Sequence, residues 1–294
     1  MSVIVVGSLN TDVTIRVTSI PAPGETVLAS ALAEEPGGKG ANQAAAAAAL
    51  GARTFMVGAV GDDLHGERAR AALERVGVRL DGLLTVSGAT GAAYVTVDEH
   101  GENSIAVVGG ANARLDAASI TAALDGLTPS AGAGSVLVVS LEIPMDGVVA
   151  AARSASARGW TVVLNPAPAR ELSGELLALV DVLTPNQTEA QALGGPAALL
   201  TAGVGAIVAT MGGDGCQVLR QDGSRSIIGG VEAAVANTTG AGDVFTAALA
   251  SALAEGAALE DAARFANAAG AIAVESPGSR VPALTRDAVT ARMP

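Results

Sequence analysis

Cysteine is almost absent. Cys216 stands alone in 294 residues, which excludes an internal disulfide and a zinc site built on several thiolates. Histidine is nearly as scarce: His65 and His100 both lie in polar, acid-rich stretches that read as solvated surface, so a histidine-dependent triad has no support. Positive charge is in deficit. Seventeen lysines and arginines face 29 aspartates and glutamates, and the net charge of −12 argues against general nucleic-acid binding. An anionic small molecule is still open to such a chain, because backbone amides bind anions without formal charge. No stretch approaches the roughly 18 uninterrupted apolar residues of a membrane-spanning helix. Residues 1–7 have neither the basic region nor the apolar length of a secretory signal. The expectation is a soluble cytoplasmic protein with no nucleic-acid or membrane partner. Half of the residues are hydrophobic and 16% are charged, which suits a large buried core.

Two nucleotide-binding signatures are also missing. The chain has no Gly-x-x-x-x-Gly-Lys-Ser/Thr loop and no Gly-x-Gly-x-x-Gly fingerprint after its first apolar run. What it does have is Thr238-Thr239-Gly240-Ala241-Gly242-Asp243, small residues running straight into a long apolar helix. The amides at such a helix start are unpaired, the helix dipole adds roughly +0.5 charge, and glycine lets a phosphate approach closely. Asp243 in the first turn reads either as a helix-start carboxylate with no chemical role or as a catalytic base. The dipole should hold it ionised and make it a weak base. All but one of the 17 basic residues are arginine; the exception, Lys39, lies in Gly37-Gly38-Lys39-Gly40. Either it survives there by chance or an ammonium is wanted at that place.

Buried apolar runs at 3–7, 54–60, 135–140, 160–165, 181–184 and 206–210 alternate with helical patterns at 41–50, 63–76, 145–158, 171–180, 241–254 and 259–274. This rhythm predicts an α/β fold, a mainly parallel sheet with helices on both faces. A meander is expected at 217–228. Alternating strands near 12–17, 26–34, 93–98 and 104–108 do not fit that core and predict a small separate antiparallel sheet, a lid formed by about 12–36 and 90–110. The whole chain is expected to be one domain.

The run Gly37-Gly38-Lys39-Gly40-Ala41-Asn42-Gln43, the later Gly240-Ala241-Gly242-Asp243, and between them Asn165-Pro166-Ala167-Pro168 and Asn186-Gln187-Thr188-Glu189 resemble the PfkB-type carbohydrate kinase family, in order and over nearly the whole chain. The middle block is similar to its ribose-phosphorylating members. The resemblance implies ATP-dependent phosphorylation of ribose at O5. Asp243 is then the base, and the amides of Gly240, Ala241 and Gly242 form the anion hole. Asn10, Asp12, Gly38, Lys39, Asn42 and Glu142 would hold the sugar. Asn186, Thr210, Gly212, Gly215, Gly242 and Asn267 would hold the nucleotide. Asn186 and Glu189 would organise Mg²⁺ largely through water. The resemblance further implies a homodimer through the lid and a monovalent-cation site near Asn237, Thr239 and Gly278. There Asn237 replaces the family's usual Asp, which puts K⁺ activation in doubt, and Arg280 is a candidate substitute for the cation. The segment between Glu189 and Ala206 is shorter than in relatives. The competing readings are a kinase of the same family for deoxyribose, a ketohexose or a nucleoside, and a sugar-binding regulator without catalysis. A dehydrogenase lacks its fingerprint.

Overall fold

The computed structural model describes residues 1–132, 134–278 and 281–293. Its strands are β1 (Ser2–Val6), β2 (Asn10–Arg16), β3 (Ala31–Gly37), β4 (Arg53–Gly61), β5 (Arg79–Val86), β6 (Gly91–Val97), β7 (Asn103–Val108), β8 (Val136–Ser140), β9 (Thr161–Asn165), β10 (Val182–Leu183), β11 (Ala206–Thr210), β12 (Cys216–Arg220) and β13 (Arg225–Ile228). The α-helices are α1 (Lys39–Ala49), α2 (Leu64–Arg75), α3 (Ala117–Ala131), α4 (Met145–Ala157), α5 (Gly174–Leu179), α6 (Gln187–Ala192), α7 (Pro196–Thr201), α8 (Ala241–Ala254), α9 (Leu259–Val274) and α10 (Arg286–Arg292).

Nine strands form one sheet in the order β13-β12-β11-β10-β9-β8-β1-β4-β5. The pairings from β11 to β5 are parallel, and β12 and β13 append the expected antiparallel meander. Alternate residues of the central strands feed two cores, as the period of a strand requires. Val3, Val5, Val136 and Val138 pack under α1, α8 and α9. Ile4, Val6, Leu137 and Val139 pack under α3 and α4 on the other face. Alanines on the buried sides of α1 (Ala44–Ala47) and α8 (Ala247, Ala248, Ala250) let these two helices lie close to the sheet and to each other.

The second sheet has the order β3-β2-β6-β7. Its outer pairings are antiparallel and its central pair, β2 with β6, is parallel. The direction follows from connectivity: β2 and β6 each continue outward from a strand of the main sheet, while β3 and β7 return. The strand expected at 26–34 begins only at Ala31, which pairs with Arg16 at the end of β2, so the residues before it have no strand alongside. The helix expected at 171–180 is shortened to α5, since the Ser173 hydroxyl caps it by accepting from Leu176 N at 3.2 Å. Of the two histidines, His100 is exposed beside Glu99. His65, expected to be solvated, is half-buried at the start of α2 with Nδ1 enclosed and unpartnered.

Candidate active site

The carboxyl ends of β1, β8, β9, β10 and β11 meet the N-termini of α1 and α8, which is where open α/β sheets bind ligands. Gly240 turns the chain into α8 in the left-handed region (φ 79°), a conformation costly for any residue with a Cβ. No side chain caps this helix start. The Ala241 amide leans toward Thr238 O at 3.3 Å, while the amides of Gly240 and Gly242 have no partner among the described residues. Two free donors at the positive end of a 14-residue helix make an anion cradle.

Asp243, in the first turn of that helix, is buried with 5% of its surface exposed. Its carboxylate is held from α1: Asn42 Nδ2 donates to Oδ2 at 3.3 Å and Gln43 Nε2 donates to Oδ1 at 3.1 Å. Gln43 Nε2 also donates to Asn165 Oδ1 at 3.2 Å, tying the end of β9 to the same network. Burial raises the Asp243 pKa above the ordinary aspartate value, although Lys39 and the two amide donors pull it down. The weak base expected from the helix start is not what burial produces: loss of hydration outweighs Lys39 and the amide donors, and the pKa lies above that of a solvated aspartate.

Lys39 opens α1 directly behind Gly38, whose φ of 89° again requires glycine. Asp243 is the strongest influence on its ammonium and raises its pKa, with Glu142, Glu189 and Asp12 acting the same way against desolvation. Four carboxylates therefore favour the charged form of the chain's lone lysine. Glu142, beyond β8, accepts from Ser8 Oγ at 2.5 Å and from Lys39 N at 3.3 Å. Asp12 lies over Gly37, where an added Cβ would come within 1.9 Å of its carboxylate. Asn10 is 2% exposed and its Oδ1 accepts from Asn112 Nδ2 at 2.9 Å. The six expected sugar residues, Asn10, Asp12, Gly38, Lys39, Asn42 and Glu142, thus converge from β2, α1 and the β8 exit.

A cavity of about 190 Å³ is lined by Lys39, Asn165, Asn186, Glu189, Gly240, Gly242 and Asp243, among others. Thr210, Thr238 and Gly242 line both this cavity and a second, more apolar one of about 450 Å³. The second is walled by Gly212, Gly215, Val231, Val235, Phe245, Asn267 and Val274. Asn267 Nδ2 donates to Gly229 O at 3.0 Å, so this side chain fixes the loop that forms the wall. A flat apolar group in the larger cavity with a phosphate chain leading to Gly242 suits this shape.

Asn186 and Glu189 both line the smaller cavity and are bonded to each other. Asn186 is the N-cap of α6, and the two form a capping box: Glu189 N donates to Asn186 Oδ1 and Asn186 N to Glu189 Oε2, each at 2.8 Å. Asn237 is held at both ends of its amide. Its Oδ1 accepts from Thr239 N at 2.9 Å and its Nδ2 donates to Pro277 O at 2.8 Å. The amide oxygen is therefore engaged, and a donor points at the neighbouring carbonyl. Gly278 follows, facing the Glu35 carboxylate of β3. Arg280 lies outside the described residues. Ser8, Gln43, Asn165 and Asn112 were not expected as site residues, although Gln43 and Asn165 lie within recognised runs.

A buried carboxylate, a helix-terminal anion cradle and a cavity shaped for a nucleotide define a phosphoryl-transfer enzyme of the α/β class. The match of residues 1–286 to the pfkB family carbohydrate kinase model makes this specific: the chain belongs to the PfkB family of carbohydrate kinases. It is 38% identical to a ribokinase of Haemophilus influenzae, over 96% of this chain and 95% of that one. It is 38% identical to a ribokinase of Bacillus subtilis, over 98% of each. The structure of an Arabidopsis thaliana ribokinase complexed with ribose and ATP is similar, with a TM-score of 0.87 and 32% identity over 99% of this chain and 98% of that one.

Proposed function

We propose that this chain transfers the γ-phosphoryl group of ATP to O5 of D-ribose, giving ribose 5-phosphate and ADP. The observation that carries the reading is Asp243. It is buried, held by Asn42 and Gln43, and set beside the free Gly240 and Gly242 amides where two cavities meet. In the reaction a bond forms from the sugar oxygen to the γ-phosphorus, the bond to the ADP oxygen breaks with its electron pair, and the hydroxyl proton passes to Asp243. Phosphoryl transfer is chiefly positioning and charge stabilisation. Gly240 and Gly242 receive the equatorial oxygens, and Lys39 supplies positive charge between sugar and phosphate. Asn10, Asp12, Gly38, Asn42 and Glu142 hold the sugar. Paired polar groups of this kind select strongly for the hydroxyls they meet.

Among the described residues no group of three or more His, Cys, Asp or Glu is placed to hold a metal ion. One carboxylate and one amide, already bonded to each other's backbone, fit an outer-sphere hold on a divalent cation that arrives with the nucleotide. Asn186 and Glu189 are assigned to Mg²⁺ in that sense, where the ion neutralises phosphate charge. The Asn237 amide does not fit a monovalent cation, since its NH₂ occupies the Pro277 carbonyl. We assign no K⁺ dependence to this chain.

The four-stranded sheet acts as a lid on a single catalytic domain. Its register places Asp12, Ala93 and Val107 in one cross-strand row, so the face that meets the sugar also carries Val107 and Ile105, 53% and 57% exposed. An apolar lid face of this size favours pairing with the lid of a second copy. Among the described residues no helix is long and apolar enough to cross a membrane. The test of the function is ADP release across pentoses, hexoses and nucleosides: ribose should be the preferred acceptor, and a preference for deoxyribose, a ketohexose or a nucleoside would reassign the substrate.

A further inference from the structure

The lid joins the body at four chain crossings, and all four pack against one another. An added Cβ on Gly38 would come within 2.7 Å of Asn10 N, one on Gly91 within 2.2 Å of Asn112 Nδ2, and one on Gly110 within 2.8 Å of Gly91 N. Asn112, 1% exposed, sits in the 3-10 turn Gly110–Arg114 that follows β7 and stands at the centre of this junction. Its amide is bonded on both sides to one residue of another crossing. Oδ1 accepts from Leu9 N at 3.0 Å, and Nδ2 donates to Leu9 O at 3.1 Å. The Leu9 peptide groups therefore fix which end of the Asn112 amide is the donor. The same Nδ2 donates to Asn10 Oδ1 at 2.9 Å. With its oxygen engaged, Asn10 has its Nδ2 left over, and that group has no acceptor among the described residues.

We infer that Asn112 is a positioning residue for the sugar. It locks the Asn10 amide so that Asn10 presents a donor, not an acceptor, to a sugar oxygen. It does so from the exit of β7, so the setting of Asn10 follows the seating of the lid. Gly91 belongs to the device, since any side chain there would occupy the space of the Asn112–Asn10 bond. The inference rests on the proposed function in taking Asn10 as a sugar contact; the Asn112 geometry is independent of it.

Removing one buried hydrogen bond that orients a ligand group corresponds to roughly a threefold to tenfold change in a binding constant. Asn112→Ala should therefore raise the KM for ribose by about that factor while leaving the KM for ATP unchanged. Ribose binding measured calorimetrically without ATP should weaken in parallel. Asn112→Asp keeps the shape and the oxygen that accepts from Leu9 N but turns a second oxygen toward Asn10. It should flip the Asn10 amide and weaken ribose binding at least as much, and it serves if the alanine variant fails to fold. The deciding measurement is the double-mutant cycle with Asn10→Ala: once Asn10 is gone, a change at Asn112 should no longer affect ribose binding. Effects at Asn10 and Asn112 that add, or equal shifts in the ribose and ATP KM values, would overturn the positioning role. A wild-type protein that phosphorylates no sugar would overturn the proposed function, and this role with it.

Discussion

Gln43→Leu perturbs the proposed base without touching it. Gln43 is fully buried, and its Nε2 serves both Asp243 Oδ1 at 3.1 Å and Asn165 Oδ1 at 3.2 Å. A hydrogen bond to a charged acceptor contributes about 1.5–3 kcal/mol. This one is longer than the 2.7–2.9 Å usual for a charge-assisted bond and is shared between two acceptors, so the lower figure applies. Its loss should reduce kcat/KM about tenfold near neutral pH. The stability change should be small, about 1 kcal/mol. Asn165 loses a partner, but the Gln43 Oε1 atom, buried and unpartnered in the wild type, is removed as well. The pH dependence carries more information than the rate. Gln43 pulls the Asp243 pKa down against burial. Without it, the acidic limb of the kcat/KM profile should move to higher pH, so the variant should lose more activity at the acid end than at pH 8.5. An acidic limb that stays fixed or moves to lower pH would refute the reasoning, because the group titrating there would then not be Asp243.

Burial raises the folded pKa of Asp243 above its unfolded value, so the folded state binds the extra proton and stability falls as pH rises through that window. Asp243→Asn should therefore be more stable than the wild type at pH 8, with an advantage that shrinks on going to pH 4, as urea unfolding at the two pH values would show. Glu189→Gln should raise the Mg²⁺ concentration needed for half-maximal rate more than the KM for ribose; an unchanged Mg²⁺ titration would count against its assignment. Initial rates at constant ionic strength should show little activation of the wild type by KCl, and Asn237→Asp should gain it, because the variant replaces the donor at Pro277 O by a carboxylate oxygen; strong saturable activation of the wild type would contradict this. Light scattering should give a dimer for the wild type and a monomer for the pair Ile105→Glu and Val107→Glu; a wild-type monomer at micromolar concentration would defeat the lid pairing.

Much of this fold was legible in the sequence because its signals are local. Buried strands such as Val3-Ile4-Val5-Val6 have no polar interruption, and glycine runs mark the starts of α1 and α8. The edge strand β5 was not read, since Arg79, Asp81 and Thr85 break its apolar pattern on the exposed side of the sheet. The Asn-x-x-Glu spacing fits both a capping box and a ligand pair, and the mutual hydrogen bonds of Asn186 and Glu189 depend on where α6 begins, which the spacing does not fix. The direction of the Asp243 pKa shift depends on burial by α1, about 200 residues away in sequence, which a reading of the local helix start omits. Asn112 was invisible for a related reason. Its partners are the backbone of Leu9 and the side chain of Asn10, and nothing within its own turn announces either.

The central claim is that Asp243 takes the proton from the sugar hydroxyl while the γ-phosphoryl group of ATP is passed to it. Phosphorus NMR of the wild type with ribose and Mg·ATP tests this most directly, run beside Asp243→Asn with ribose binding measured separately by calorimetry. The wild type should give stoichiometric ADP and a ribose 5-phosphate ester. The variant should show turnover lower by orders of magnitude with ribose affinity largely kept. Near wild-type turnover by Asp243→Asn would contradict this, as would ATP consumption by the wild type without a phosphorylated sugar.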